Sequence, residues 1–377
     1  MKRIFFFISI ALLGIIYYSA GRPMEIADRV MIHAIGIDHE DSSFRVTMQV
    51  FSPTSGGSET AIDPSQPNVS IVSGSGRNVA EAINDCETDL GGRVFIGQNK
   101  LIVFGRSIDL ARKNELLGFF LSSSETYLNT DCAMSSGTAE ELLSVPIMSG
   151  GISSEKLAMM ISSECERGRC AKCTLMQLLE SVEKENGSVI LPEFSLLQKK
   201  KDDAAGKADE EGSTPDKLPE SSEIVLNKCA VLRGGRFAGE LSGSEAGLAA
   251  AVSGSGTNVF ADTEYNGQRL GCTLQITDRN ITAAQENGQI IIRARLAAVP
   301  VDEQFFPDSA EREGFNKAAL KKLTAETDRL AVKLCRSDSE EILGAERTLR
   351  RCFPALLREC GSAEALADRI SYEIVFG

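Results

Sequence analysis

VMIHAIGIDHEDSSFRVTMQVF, residues 30–51, reads as two β-rich runs around a polar turn, and the rest of the chain is organised about it. In FRVTMQVF (44–51), Phe44, Val46, Met48 and Val50 alternate with Arg45, Thr47 and Gln49. Side chains alternate faces along a strand, so a period of two describes a half-buried strand. With VMIHAIGID (30–38) before it and His39 to Ser43 between, the stretch predicts a β-hairpin. A polar Gly/Ser/Pro loop follows over 52–67, then a short strand at 69–72. Val79, Ile83, Cys86 and Leu90 recur at helical spacing and predict a helix over about 77–90.

KLIVF (100–104) is a short apolar strand, with a helix expected behind it over about 108–122 and a strand at 130–135. Thr138, with Glu141 three residues on, forms a capping box for a short helix. Two more helices are expected over about 153–166 and 173–186. Gly74-Ser75-Gly76 reads as a turn before the first helix; it lacks the Lys and Ser/Thr of a phosphate-binding loop. Strands and helices mix without strict alternation. The fold class is therefore α+β, with mixed or antiparallel sheets and flanking helices, rather than doubly wound α/β.

The length of 377 residues suggests two to three domains. QKKKDDAAGKADEEGSTPDKLPESSE (198–223) has almost nothing to bury and reads as a charged linker or long loop. It separates an N-terminal α+β domain (22–197) from a C-terminal one (224–377). The second opens with strands 224–233 and 236–241 around Gly234-Gly235, a hairpin signal. A small-residue helix follows over about 242–252, capped by Ser242. Strands near 256–263, 270–284 and 289–299 suit a one-faced antiparallel sheet. Leu320, Leu323, Thr327, Leu330 and Leu334 stripe a long helix over 309–336. A helix over about 338–352 and a strand at 369–376 close the chain.

Lys2 and Arg3 precede the uncharged run IFFFISIALLGIIYYSA (4–20). As a helix it would span roughly 25 Å, slightly short of a bilayer core, with Tyr17 and Tyr18 at an interfacial depth. The leading positive charges place the remaining chain outside the cytoplasm. Residues 1–21 are a cleaved signal peptide or a retained transmembrane anchor. Tyr18 in the cleavage pattern Tyr18-Ser19-Ala20 favours retention.

Lys plus Arg number 40 against 53 Asp plus Glu, a net charge of -13. An acidic body repels phosphate backbones, so nucleic acid is not an expected partner. Two His, His33 and His39, leave little scope for His-based metal or nucleophile chemistry. The adjacent acids Glu40-Asp41, Glu140-Glu141 and Glu340-Glu341 make no acid/base couple, and no G-x-S-x-G or H-E-x-x-H occurs. Catalysis, cofactors and metals are not expected. Ten Cys are the compositional oddity. Cys165, Cys170 and Cys173 in CERGRCAKC overlap one iron–sulfur spacing, which also needs a remote fourth Cys. Their bridging of two predicted helices and the export signal disfavour a metal or cluster. A disulfide within the turn or to another Cys, and free, partly buried thiols, stay open.

Five stretches together resemble the Ger(x)C family, the C subunits of nutrient germinant receptors in spore-forming bacteria. They are MEIADRVMIHAIGID (24–38), RVTMQVFSP (45–53), GQNKLIVFG (97–105), TAEELL (138–143) and LNKCAVLRGGRFAGELSGSEAGL (226–248). The motif positions carried over are Glu25, Ile26, Asp28, Gly36, Asp38, Gln49, Gly97, Lys100, Gly239 and Glu245. The resemblance implies a non-enzymatic subunit on the outer face of the spore inner membrane, assembled with transmembrane A and B subunits. Four features depart from the family pattern, among them a short last helix-to-strand region and the excess of Cys. The acylated Cys expected before Glu25 is absent from Tyr18 to Pro23, and the family His falls at Gln98. The alternative is an extracytoplasmic small-solute-binding subunit of another membrane complex.

Overall fold

A computed structural model describes residues 29–51, 69–145, 153–184, 187–198, 222–301, 309–336, 339–361 and 364–377. The apolar run at 4–20, the motif residues Glu25, Ile26 and Asp28, and most of 198–223 lie outside them. Strands β1 (Arg29–Glu40) and β2 (Ser43–Phe51) form the expected hairpin, with Ile35 opposite Met48 and Ile37 opposite Val46. The turn between them uses Asp41 at φ 47°, a left-handed conformation that Asp tolerates better than most residues. β3 (Val69–Gly76) adds to the free edge of β2. Helix α1 (Val79–Leu90) follows, its first turn capped by Asn78 Oδ1, which accepts from the Glu81 N–H at 2.9 Å.

Then come β4 (Arg93–Phe95), β5 (Leu101–Phe104), α2 (Lys113–Leu116), α3 (Gly118–Ser122) and β6 (Asp131–Ser135). They are followed by α4 (Ala139–Ser144), α5 (Ser153–Glu166), α6 (Leu175–Glu183), β7 (Ser188–Gln198), β8 (Ser222–Arg233) and β9 (Arg236–Ser242). These strands make one mixed sheet in the order β3-β2-β1-β5-β6-β7-β8-β9, with β4 also paired to β1. β1, β5, β6 and β7 run parallel, and the flanking strands are antiparallel. Helices cover both faces. Val79, Ile83, Phe120, Leu175 and Leu178 pack with Ile35 and Ile37 on one side; Leu142, Leu157 and Ile161 pack with Ala34 and Val103 on the other. Burial on both faces explains why LIVF and the β1 run are continuously apolar rather than alternating.

Helix α7 (Gly243–Ser253) leads into β10 (Asn258–Tyr265), β11 (Gln268–Glu286) and β12 (Gln289–Pro300). α8 (Ser309–Arg336), a 3-10 turn (Glu340–Leu343), α9 (Ala345–Cys352), α10 (Pro354–Cys360) and β13 (Ile370–Phe376) finish the chain. The second sheet has the order β10-β11-β12-β13. α7 lies between the two sheets, with Gly243, Ala246, Gly247, Leu248, Ala249, Ala250, Ala251 and Val252 all buried. One core cluster runs from Ala34 and Val103 of the first sheet through α7 to Ala294 and Phe315 of the second half. The α+β class thus holds.

Several expectations need correction. The boundary at 198–223 does not divide the sheets: β7 and β8 on either side of it pair antiparallel, Leu191 opposite Ala230, and β8 and β9 complete the first sheet. The break in sheet order falls instead at α7. β7 itself, SVILPEFSLLQ, is not expected as a strand from the sequence, since Pro192 and Glu193 break its apolar run. Pro192 is accommodated beside the irregularity between Glu193 and Phe194, as expected of Pro in a strand. Gly74-Ser75-Gly76 is strand, not turn. A Cβ at Gly74 would meet Ala82 O at 2.5 Å, and one at Gly76 would meet Ala82 N at 2.5 Å, so these glycines let α1 lie against β3. The helix expected over 108–122 is two short pieces, α2 and α3. The one expected over 338–352 is split at Gly344, which sits at φ 78°. β13 runs parallel to β12, Ile292 beside Tyr372, so the second sheet is not wholly antiparallel.

Candidate functional site

The parallel strands β1, β5, β6 and β7 end on a common rim, and in open sheets that carboxyl edge is where functional groups collect. Asp38 closes the buried run of β1 and is itself buried. Its carboxylate accepts the Ala139 N–H at 2.8 Å and the Glu140 N–H at 3.0 Å. Those amides open α4 and have no carbonyl partner within the helix. Burial pushes the Asp38 carboxyl up from its ordinary value, while the two amide bonds pull it down. Thr138 completes the same terminus with a reciprocal capping box to Glu141.

Gln49 on β2 reaches the other end of the helix. Its Nε2 donates to Leu143 O at 2.8 Å and to Ser153 Oγ at the start of α5. Gly36 lies under the helix, where a Cβ would come within 2.9 Å of Leu143 Cδ1. Gly105, just past β5, leaves the room into which Asp38 fits: a Cβ there would meet Asp38 Oδ1 at 1.9 Å. The hairpin therefore grips α4 at both ends and leaves no space for larger residues beneath it. Asp38→Ala strands two buried amides and is expected to lower stability by about 2–3 kcal/mol. Asp38→Asn keeps one acceptor and should lose about half as much. Urea unfolding of the two variants checks the ranking.

Next along the rim, Arg106 extends from the end of β5. It pairs with Glu193 of β7 at 2.5 Å and with Glu240 of β9 at 2.8 Å, and its guanidinium lies 3.5 Å from the centre of the Phe237 ring. Lys228 of β8 also reaches Glu240, at 2.8 Å. Glu193 is 2% exposed, and burial raises its carboxyl above the usual range against the pull of Arg106. Glu240, outside, is held below it by Lys228 and Arg106. The network is positioned to hold β5, β7, β8 and β9 in register, and it presents Arg106, Lys228 and Phe237 at a partly exposed surface.

On the opposite helical layer, a polar cleft of about 160 Å³ lies between α6, the start of β7 and the turn before α9. Lys184 bridges it to Glu341 at 3.2 Å and Glu346 at 3.0 Å. The Oγ atoms of Ser181 and Ser188 face no partner among the described residues.

A family model described as spore germination protein N-terminal domain matches residues 22–196. Spore germination protein KC of Bacillus subtilis (strain 168) is 22% identical over 349 residues, covering 88% of this chain and 83% of the relative. Both matches support the resemblance to the Ger(x)C family. The crystal structure of the GerBC protein superposes with a TM-score of 0.46 at 16% identity, covering 91% of this chain and 96% of that one.

The Ger(x)C positions carried over from the sequence separate into groups. Gly36, Asp38 and Gln49 come together around α4. Gly97 and Lys100 sit in the β4–β5 connection, where the Lys100 N–H donates to His33 O at 2.9 Å and the Lys100 side chain is exposed. Gly239 is on β9, with nothing within 4 Å of where a Cβ would be. Glu245 caps α7 through the Ser242 N–H at 2.8 Å and binds Lys333 of α8 at 3.0 Å. Of the three flagged thiols, Cys165 and Cys170 lie together, whereas Cys173 is buried beside Cys132, whose N–H bonds Cys173 O at 2.8 Å. Among the described residues no group of three His, Cys, Asp or Glu side chains is arranged to hold a metal ion. Sequence reading missed Arg106, Glu193 and Cys229. Glu193 was detectable as a lone acid inside an apolar run; the others carry no local signal.

Proposed function

We propose that the protein is the C subunit of a spore nutrient germinant receptor, seated on the outer face of the spore inner membrane with transmembrane A and B subunits. It acts by positioning those partners and coupling nutrient sensing to germination, without chemistry of its own. The Ger(x)C match over residues 22–196 carries this reading. The apolar run at 4–20 supplies the anchor, since no Cys stands where the family acylates one. Among the described residues no helix is long and apolar enough to cross a membrane. The surface near Arg29, where β1 begins, supports a bilayer-facing orientation. Arg29 binds Glu125 at 2.8 Å, and Leu121, Tyr127 and Leu128 around that loop are exposed. Exposed Tyr and Leu side chains suit a membrane interface.

Deletion of the gene in a host lacking paralogues is expected to abolish or slow germination with at least one nutrient. Unaltered germination with every nutrient would count against the proposal. A second reading, a small-solute-binding subunit, is favoured by the cleft between α6 and α9 with its unpartnered serine hydroxyls. A large, saturable thermal shift with an amino acid or sugar would support that reading.

A further inference from the structure

Three cysteines, two from the stretch 165–170 and one from β8, meet at the seam between α5, the segment before α6 and β8. Cys170 Sγ and Cys229 Sγ lie 3.7 Å apart, both thiols buried. Cys165, at the end of α5, is only partly buried and lies near Cys170. We propose that Cys165, Cys170 and Cys229 form a thiol–disulfide exchange site that closes as a Cys170–Cys229 disulfide.

The bonding geometry needs a sulfur–sulfur approach from 3.7 Å to roughly 2 Å, within the reach of side-chain rotation. The two sulfurs belong to residues 59 apart in sequence, so the bond would close a long loop and restrict the unfolded chain strongly. Its position gives it a structural consequence. Gly168, two residues before Cys170, is packed against Val259 of β10 and Gly247 of α7. The disulfide would therefore tie β8 of the first sheet to the turn on which the second half rests.

Cys165 provides the entry. The neighbouring Cys170 thiol lowers the Cys165 pKa below the ordinary thiol value, whereas the Cys165 and Cys229 thiols, and then burial, push Cys170 up. Exchange begins at the better thiolate. Cys165 thiolate attacks a disulfide donor and releases one donor thiolate, leaving a mixed disulfide on Cys165. Cys170, on losing its proton, attacks the Cys165 sulfur, expels the second donor thiolate and forms Cys165–Cys170. Cys229 thiolate then attacks the Cys170 sulfur, forming Cys170–Cys229 and returning Cys165 as thiolate. The donor takes the two electrons, and the protons of Cys170 and Cys229 pass to solvent. An exported body meets such donors, but the chemistry does not depend on where the protein resides.

The test equilibrates the purified full-length chain with oxidised glutathione, blocks remaining thiols by alkylation, and maps tryptic peptides without reduction. Cleavage at Arg167, Arg169, Lys172 and Lys228 places the three cysteines on separate peptides. The expected product is a Cys170–Cys229 cross-linked peptide with Cys165 alkylated. In Cys229→Ser the cross-link should move to Cys165–Cys170, and in Cys165→Ser the Cys170–Cys229 product should form several-fold more slowly. Full alkylation of Cys170 and Cys229 in the folded wild-type chain would overturn the proposal, as would a cross-link that pairs either with a cysteine outside the triad. The wild-type map stands alone if a variant fails to fold.

Discussion

Gly247→Ala is expected to destabilise the protein by about 2–3 kcal/mol, although Ala is the better helix former by about 1 kcal/mol. A Cβ at Gly247 would lie 2.0 Å from Gly168 O and 2.5 Å from Gly168 C. Both are backbone atoms, and Gly168 is itself pinned: it sits at φ 70°, and a Cβ on it would strike Val259 backbone at 2.4 Å. Gly243 stands in the same relation to Arg169 O, at 2.3 Å. The small-residue face of α7 is thus a slot into which the 168–169 turn is pressed, and neither wall can move without disturbing the joint between the sheets. Gly239→Ala, with open space around it, is the control and should change stability by less than about 0.5 kcal/mol. Urea midpoints for the two variants give the comparison. Equal, small effects would contradict a tightly closed joint.

The second large effect is at the rim. Arg106→Ala leaves the buried Glu193 carboxylate without its cation, and removing one partner of a buried pair costs about 3 kcal/mol or more. The sign with pH follows from burial. Glu193 already has a folded-state pKa above its ordinary value because it is desolvated, and Arg106 opposes that rise. Without Arg106 the folded pKa climbs further above the unfolded one. A raised carboxyl favours folding while protonated, below the unfolded pKa, and that advantage is lost as pH rises through the folded value. The variant should therefore approach wild type in acid and fall furthest behind it at neutral pH. Glu193→Gln added to Arg106→Ala should recover most of the loss, because the stranded charge is gone. A deficit independent of pH and unrelieved by Glu193→Gln would assign it to lost packing on Phe237 instead.

The hairpin at 30–51, helix α1, the capping box at Thr138 and the strands of the second sheet were legible because each is specified locally, by period or by cap. The joint at α7 was not. Its composition reads as a small-residue helix, but only the approach of the turn at Gly168 explains why Gly243 and Gly247 are needed. The 198–223 stretch was readable as polar and unable to bury itself, and that property was mistaken for a division between sheets. A hairpin connection has the same composition, and only the pairing of β7 with β8 distinguishes the two. Asp38 and Gln49 were flagged by resemblance alone. Their work, holding the two ends of α4, depends on residues about a hundred positions away and leaves no trace in spacing. The same holds for Cys229, which the fold brings to within 3.7 Å of Cys170 from 59 positions away.

The central claim is a membrane-held subunit working through its partners. Affinity purification of the tagged full-length chain from detergent-solubilised spore inner membranes tests it most directly. The account predicts that two multi-span membrane proteins co-purify in fixed proportion, and that deletion of residues 4–20 moves the chain to the soluble fraction and loses both. Recovery of the intact wild-type chain alone from the soluble spore fraction would contradict it.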